Sequence, residues 1–401
     1  MKVLVINAGS SSLKFTLFRM RNEAVMATGI VERIGSDGPQ LRYQANGTEH
    51  KQKALVANHD EALQLVCRTL VDREIGVLES LVEVEAVGHR IVHGGEKLTA
   101  SVLIDDTVKK GIRECFSLAP LHNPPNYGGV EACQAAFPDV PNVAVFDTAF
   151  HQTMPPASYL YAVPHEMYEE EGIRKYGFHG TSHRFVTQAA ADFVEKPVES
   201  LKLITCHLGN GCSVAAVNGG KVLDTSMGLT PLAGVVMGTR CGDIDPGVVI
   251  HLIKSGRSPE EVDKLLNKKS GLFGLAGIGS SDMRDILAAI DEGKMLARQA
   301  LEMFVHRLAS YIGAYYTVLG GADMVVLTGG IGENSLPSRG RVVKALAALG
   351  CHFDDEANET VGNQAGFIST PESTLKALIM PTNEELMIAR DTRDIVQKIT
   401  T

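Results

Sequence analysis

The sequence predicts an α/β protein made of two like halves, and three observations carry that prediction. Residues 3–18 (VLVINAGSSSLKFTLF) pass from a short apolar run, through a turn of small residues, into an alternating stretch. That is a strand, a tight turn and a second strand, with Leu13, Phe15 and Leu17 on one face and Lys14 and Thr16 on the other. The pattern recurs about 200 residues later, as in a duplicated fold whose copies are each near domain size. Finally, Asn7, Arg90, Asp147, His207, Glu384 and the glycine-rich turn 329–334 each follow the end of an apolar run. In open α/β sheets that edge is where ligands bind.

In chain order, residues 24–31 return as a third strand, and residues 35–39 and 46–48 are turns within further β structure. Asn58, with Glu61 three residues on, has the form of a helix N-cap and its partner, and Leu63, Val66 and Leu70 keep helical spacing. Residues 81–91 read as a strand entering Gly88-His89-Arg90. Residues 119–126 (APLHNPPN) are too rich in proline for a helix or a central strand. A buried strand over 143–146 ends at Asp147. The second half opens with an apolar run at 203–206, the small-residue turn 207–212, a strand over 213–217, the turn Asn218-Gly219-Gly220 and a strand over 221–225. Leu301, Phe304, Val305, Leu308, Ile312 and Tyr315 then mark a long amphipathic helix. Strands over 324–328 and 377–380 and a closing helix over 386–396 complete the chain.

The chain has 401 residues, room for two or three domains with cores. A formal charge of −9 argues against nucleic acid or an anionic membrane as a partner. No apolar run approaches the ~18 residues of a membrane span. Met1 and Lys2 lead straight into a strand, so no secretory leader is expected. Seven cysteines, odd in number and without a CxxC pair, suit reduced thiols in the cytoplasm better than disulfides or a zinc site.

The opening loop lacks GxxxxGK[ST] and GxGxxG, and Ser10–12 lack the GxSxG elbow of a hydrolase. No acid stands between His179 and His183, so the histidines form no HExxH metal signature. Three glycine-rich turns, two arginines and several carboxylates are instead what phosphoryl transfer needs. Backbone N–H groups cradle phosphates, arginine neutralises equatorial oxygens, and acids hold Mg²⁺.

The stretches VINAGSSSLKF, GHRIVHGGEK, APLHNP, FDTAFHQTMP, YGFHGTSH, CHLGNG, DTSMGLTPLAG, MGTRCGDIDP, TGGIGEN and PTNEE together closely resemble the acetate kinase family. The resemblance runs from Val3 to about Arg390. It implies a duplicated actin-like ATPase (ribonuclease H-like) fold, two domains with mixed sheets flanked by helices and a cleft between them. The expected domains are 1–148 plus 384–401, closed by the C-terminal helix, and 149–383, which binds nucleotide. Residues 147–156 and 231–238 are then candidate hinges for domain closure.

Carried over residue by residue, the resemblance implies a metal site at Asn7 and Glu384, for Mg²⁺ or alternatively Mn²⁺. Lys14 is an ATP contact. His207, Leu208, Gly209, Asn210 and Gly211, with Asp282, Met283 and Arg284 and with Gly330, Ile331, Gly332, Glu333 and Asn334, form the ATP/ADP site. Arg90 meets the carboxylate substrate, His179 and Arg240 stabilise the transition state, and Asp147 is the catalytic acid. Val92, Leu121, Phe178 and Pro231 bound the substrate. Related propionate kinases tend to carry a smaller residue at the place of Val92, which favours acetate. The resemblance also suggests a homodimer.

Plainer roles stand beside these. Arg90 suits a structural ion pair, His179 a core histidine, Asp282 a helix cap and Glu333 a solvated loop. Thr382 and Glu385 have capping-box spacing, which leaves Glu384 for metal. The implied reaction is in-line transfer of the ATP γ-phosphoryl to acetate, giving acetyl phosphate and ADP. Acetate is already ionised at neutral pH, so a base has no proton to remove, and Asp147 is expected to position Mg²⁺ or its water instead. Cys241, after Arg240, and Cys212, after Gly211, depart from the commonest family pattern and put a thiol beside the site. Two rivals are a propionate or butyrate kinase of the same fold and a non-catalytic nucleotide-binding switch.

Overall fold

The apolar run at the N-terminus is β1 (Lys2–Ala8), and its side chains divide by parity between two cores. Leu4 and Ile6 pack in one cluster with the helices His59–Leu70 and Asn123–Ala136, while Val3 and Val5 pack in another with Ile388 and Ala389 of the C-terminal helix Glu384–Thr400. Period-two alternation thus places a helical layer on each face of the sheet. The computed structural model describes residues 1–400, with the side chain of Thr400 left aside.

Two units form along the chain, residues 1–150 with the chain from 383 onward, and residues 151–382. In the first, β2 (Ser12–Arg19), β3 (Ala24–Glu32), β4 (Gln40–Ala45) and β5 (Thr48–Lys53) continue β1 as an antiparallel meander. On its other side β1 pairs in parallel with β6 (Ala86–Ile91), and β6 with β8 (Asn142–Phe146). The short antiparallel β7 (Val102–Leu103) closes the edge, so the order is β5-β4-β3-β2-β1-β6-β8-β7.

The second unit has β9 (Lys202–Leu208), β10 (Cys212–Asn218), β11 (Lys221–Thr225), β12 (Met324–Thr328), β13 (Gly366–Phe367) and β14 (Lys376–Ile379), in the order β11-β10-β9-β12-β14-β13. Each sheet has the same plan. An antiparallel meander, of five strands in the first sheet and three in the second, is extended by two parallel strands from its first member, with a short antiparallel strand at the edge. The duplication expected from residues 3–18 and 203–225 is therefore present in strand order and direction. The long amphipathic helix is Met295–Val318, with Leu301, Phe304, Leu308, Ile312 and Tyr315 buried and Val305 half-buried.

Four local expectations are corrected. Residues 81–91 are not one strand: a 3₁₀ turn, Leu81–Glu83, precedes β6, because Ser80 and Glu83 form a capping box. Residues 119–126 do enter a helix, since Pro124 and Pro125 lie in the first turn of Asn123–Ala136, where no N–H donor is needed. The stretch Gly329–Asn334 is a short helix after β12 rather than a turn. The last helix is capped by Asn383, whose Oδ1 accepts from Leu386 N at 2.9 Å, and not by Thr382, whose hydroxyl lies 2.9 Å from Ser182 Oγ. Glu384 nevertheless opens that helix.

Candidate active site

In the first unit the turn after β1 is held from three directions. Gly9 N donates to Ser12 O at 2.8 Å, and His59 Nε2 lies 2.7 Å from Gly9 O. Asn126, almost fully buried, donates from Nδ2 to Ala8 O at 2.6 Å and accepts from Val92 N at 3.0 Å. One side chain thereby fixes the end of β1 to the stretch after β6. Asn123 does the same for His93, accepting from its N–H and donating to its carbonyl. Asn7 lies opposite Lys14 in the β1–β2 register, and Lys14 is exposed.

Arg90 and Asp147 stand at the ends of adjacent parallel strands. Arg90 Nε donates to both Asp147 oxygens at 3.1 Å, and Nη2 donates to Oδ2 at 2.6 Å. Asp147 is 1 % exposed, whereas the Arg90 side chain keeps 23 % of its surface. The plainer ion-pair role for Arg90 is thus present, and it leaves a positive edge presented in a fixed orientation. Gly88, two residues earlier, is required by packing. A Cβ there would lie 2.8 Å from Ile388 Cγ2, so glycine lets the C-terminal helix approach β6. The first residue of that helix, Glu384, comes to 3.9 Å from Arg90 Nε.

Burial raises the Glu384 carboxyl, opposed by Arg90 and reinforced by Asp147 and Glu385, to about 7. A metal-free folded protein therefore holds a proton there that the unfolded chain releases near the ordinary 4.5. Stability from this group is full below pH 4.5 and is lost as pH rises through about 7, on the order of 3 kcal/mol. In calorimetry with chelator present, the melting temperature should fall across that window in the wild type and stay flatter in Glu384→Gln. Parallel pH profiles for the two proteins would contradict this assignment.

Among the described residues no three His, Cys, Asp or Glu side chains gather as a metal cage. Mg²⁺ keeps waters and substrate phosphates and takes only one or two protein carboxylates. Glu384 fits such a role. Its neighbours leave its charge under-compensated, and it is the carboxylate that Arg90 does not grip. Val92 is buried at 8 % exposure, while Leu121 is 57 % exposed.

In the second unit, His179 precedes the helix Gly180–Phe193 with φ +56°, a left-handed backbone unusual for a residue with a side chain. The segment before it is anchored: Tyr176 N donates to Gly228 O at 3.1 Å, and His151 Nε2 lies 2.8 Å from Phe178 O. Phe178 is buried. His179 Nδ1 lies 2.8 Å from Ser213 Oγ, and its ring lies 4.3 Å from that of His207. His207 Nδ1 lies 2.8 Å from Ser182 Oγ.

Gly211 lies where these groups converge. A Cβ on it would stand 3.2 Å from His179 Cε1 and Nε2 and 3.4 Å from Arg240 Nη1. Arg240 Nη1 donates to Pro231 O at 3.2 Å, which places Pro231 beside the guanidinium. Leu208 and Cys212 are buried around the same turn, and burial pushes the Cys212 thiol up to about 12. Cys241 is also pushed up by burial, so neither thiol is activated by its setting.

A cavity of about 570 Å³ within this unit joins three of the sequence-predicted stretches. Gly209 and Asn210 line it, as do Asp282, Met283 and Arg284, and Gly330, Ile331 and Asn334, with Leu287 and Pro337 adding apolar wall. Asp282 both lines the cavity and caps the following helix. Its carboxylate accepts from Arg284 N, Nε and Nη2, and the Arg284 side chain first among these holds it at about 2. His207, Leu208, Gly211, Gly332 and Glu333 do not line it. Glu333 Oε1 instead accepts from Thr328 Oγ1, Gly329 N and Thr382 N, tying β12 to the chain after β14.

Sequence reasoning missed the two asparagines and the partners of His179. Ser213 is a polar residue inside an apolar strand, and His183 stands four residues after His179, one helical turn on. Those were the available signals.

The chain matches the family model described as the Acetokinase family over residues 2–390. It is 53 % identical over 399 residues to the acetate kinase of Clostridium novyi, covering 99 % of each chain. The crystal structure of Porphyromonas gingivalis acetate kinase superposes with a TM-score of 0.94 at 44 % identity, covering 98 % of this chain and 99 % of that one. A propionate kinase from Francisella tularensis superposes with a TM-score of 0.92 at 40 % identity, covering 98 % and 99 %. Strand order, the Arg90–Asp147 pair, the histidine cluster and these matches agree, and the chain belongs to the acetokinase family.

Proposed function

We propose that the protein is an acetate kinase, which moves the γ-phosphoryl of ATP to acetate and back, forming acetyl phosphate and ADP. The observation that carries this reading is the Arg90–Asp147 fork: a guanidinium held by a buried carboxylate, with part of its edge left to bind a second one. Arg90 takes the acetate carboxylate. Asp147 has both oxygens on Arg90, so it acts first by orienting that arginine, and no base is required because acetate arrives ionised. Asn7 and Glu384 hold Mg²⁺, or Mn²⁺ in its place. The cation supplies charge neutralisation on the phosphate oxygens. Lys14, exposed beside Asn7, is a further phosphate contact.

The cavity lined by Asn210, Asp282 and Ile331 receives the nucleoside of ATP or ADP. His179 and Arg240 meet the charge on the transferring phosphoryl group, and Val92, Leu121, Phe178 and Pro231 limit the size of the acid. The helix Pro246–Lys254 supports a homodimer. It has no buried residue, yet Val248, Ile250 and Ile253 are 44 %, 52 % and 37 % exposed, and of these Ile250 and Ile253 lie on one side, apolar surface suited to a second copy. No helix among the described residues is long and apolar enough to cross a membrane. The seven free thiols favour a reducing, cytoplasmic setting.

The second reading is a propionate kinase, favoured by the structural match to one. A hydroxamate assay with Mg·ATP tests both. Acetate should give the higher kcat/KM, with propionate lower by roughly 10- to 100-fold, because one methylene in a pocket is worth ~1–3 kcal/mol. Equal values would overturn the acetate preference, and no hydroxamate with either acid would overturn the kinase reading.

A further inference from the structure

Behind His179 lies a chain of polar side chains that the roles above do not use. Ser213 Oγ stands between two imidazoles, 2.8 Å from His179 Nδ1 and 2.8 Å from His183 Nε2. The other nitrogen of His183, Nδ1, lies 2.7 Å from Thr205 Oγ1. Thr205, His183 and Ser213 are each 0 % exposed. Water therefore does not compete for their hydrogen bonds, and every proton in the chain is placed by its neighbours.

We propose that Thr205, His183 and Ser213 are positioning residues that keep the His179 proton on Nε2, the edge facing Gly211 and Arg240. This rests on His179 meeting the transferring phosphoryl group, as proposed above. A serine hydroxyl has one hydrogen, so Ser213 can donate to only one of its two histidines. If it donates to His179 Nδ1, a neutral His179 carries its hydrogen on Nε2. Ser213 must then accept from His183 Nε2–H, which leaves His183 Nδ1 to accept from the Thr205 hydroxyl. His183 and Ser213 each give one hydrogen and take one, in a single direction from Thr205 to His179.

The reverse direction, with His179 neutral, would put its hydrogen on Nδ1 and aim a lone pair at phosphate oxygens. Burial, with His151 and His207 beside it, pulls His183 well below the ordinary 6.5, so His183 has a single N–H and cannot donate both ways. The left-handed backbone of His179 turns its ring toward Ser213 rather than along the helix that follows, where a capping residue would point.

The test is histidine-selective ¹⁵N NMR on the full chain without substrates, with His179 assigned by loss of its signals in His179→Asn. The expected wild-type spectrum has His179 and His183 both protonated at Nε2 and bare at Nδ1. In Ser213→Ala the two His179 nitrogens should average toward a mixture of tautomers. The kcat should fall roughly tenfold, the worth of one hydrogen bond, with KM for acetate and ATP within twofold. Ser213→Thr, which keeps the hydroxyl, should restore the wild-type pattern. A wild-type neutral His179 with its proton on Nδ1 would overturn the proposal, as would a Ser213→Ala protein with unchanged tautomer and kcat. The wild-type spectrum needs no variant to fold and no turnover, so a failure of the kinase reading and a failure of this one are told apart.

Discussion

Arg240→Ala is expected to lower kcat by about a thousandfold while KM for acetate and ATP changes only a few-fold, since an arginine on the transferring phosphoryl group acts in the transition state. Besides the bond from Arg240 Nη1 to Pro231 O, the loop that carries Arg240 is held by bonds that do not involve its side chain. Gly238 N donates to Asn210 O at 2.9 Å, Cys241 N to Leu266 O at 3.0 Å, and Ser270 N to Thr239 O at 3.1 Å. Gly234 and Asp243 close its base, with Gly234 N on Asp243 Oδ1 at 2.7 Å, and the Tyr311 hydroxyl donates to the same carboxylate. Alanine therefore removes a charge and leaves the scaffold. Burial already works against the Arg240 charge, a cost the protein bears for a group placed to meet an anion. Arg240→Lys keeps the charge but not the planar fork and should recover only part of the loss. Steady-state kinetics decide, and an effect confined to KM would refute the assignment.

Arg90→Ala should be the most damaging change in the first unit, and in two separable ways. Asp147, 1 % exposed, would lose the partner of both its oxygens, and breaking such a pair costs about 3 kcal/mol or more. Acetate would lose its counter-charge, so its KM should rise by roughly tenfold or more, with ATP KM changing less. A double-mutant cycle with Asp147→Asn separates the two effects. The stability losses should be strongly non-additive, because both variants break one pair, whereas the acetate KM should be dominated by Arg90. Additive stability losses, measured by denaturant unfolding, would mean the fork seen here does not exist in solution.

Much of this arrangement is legible in the sequence because it is local. Short apolar runs mark β1 and β9, alternation marks β2, periodicity near 3.6 marks Met295–Val318, and glycine with small residues marks the turns between the strands. Polar residues at the ends of apolar runs point to one edge of each sheet, and the repeated unit points to duplication. Local rules mislead where two of them compete. Proline forbids a helix interior but favours a helix start, so residues 119–126 read as loop although the helix begins at Asn123. Thr382 has the spacing of a cap, but its hydroxyl is taken by Ser182, and Asn383 caps instead.

By itself the sequence determined two α/β halves, their strand–turn–strand openings, and which polar residues end the strands. Only the tertiary structure decided what those residues touch. That Asp147 spends both oxygens on Arg90, that Glu384 comes near them because Gly88 admits the last helix, and that Ser213 bridges His179 and His183 are contacts between residues 30 to 300 positions apart. No periodicity encodes such contacts. Strand order and helix packing bring them about, and with them the desolvation that raises Glu384 and keeps His183 neutral.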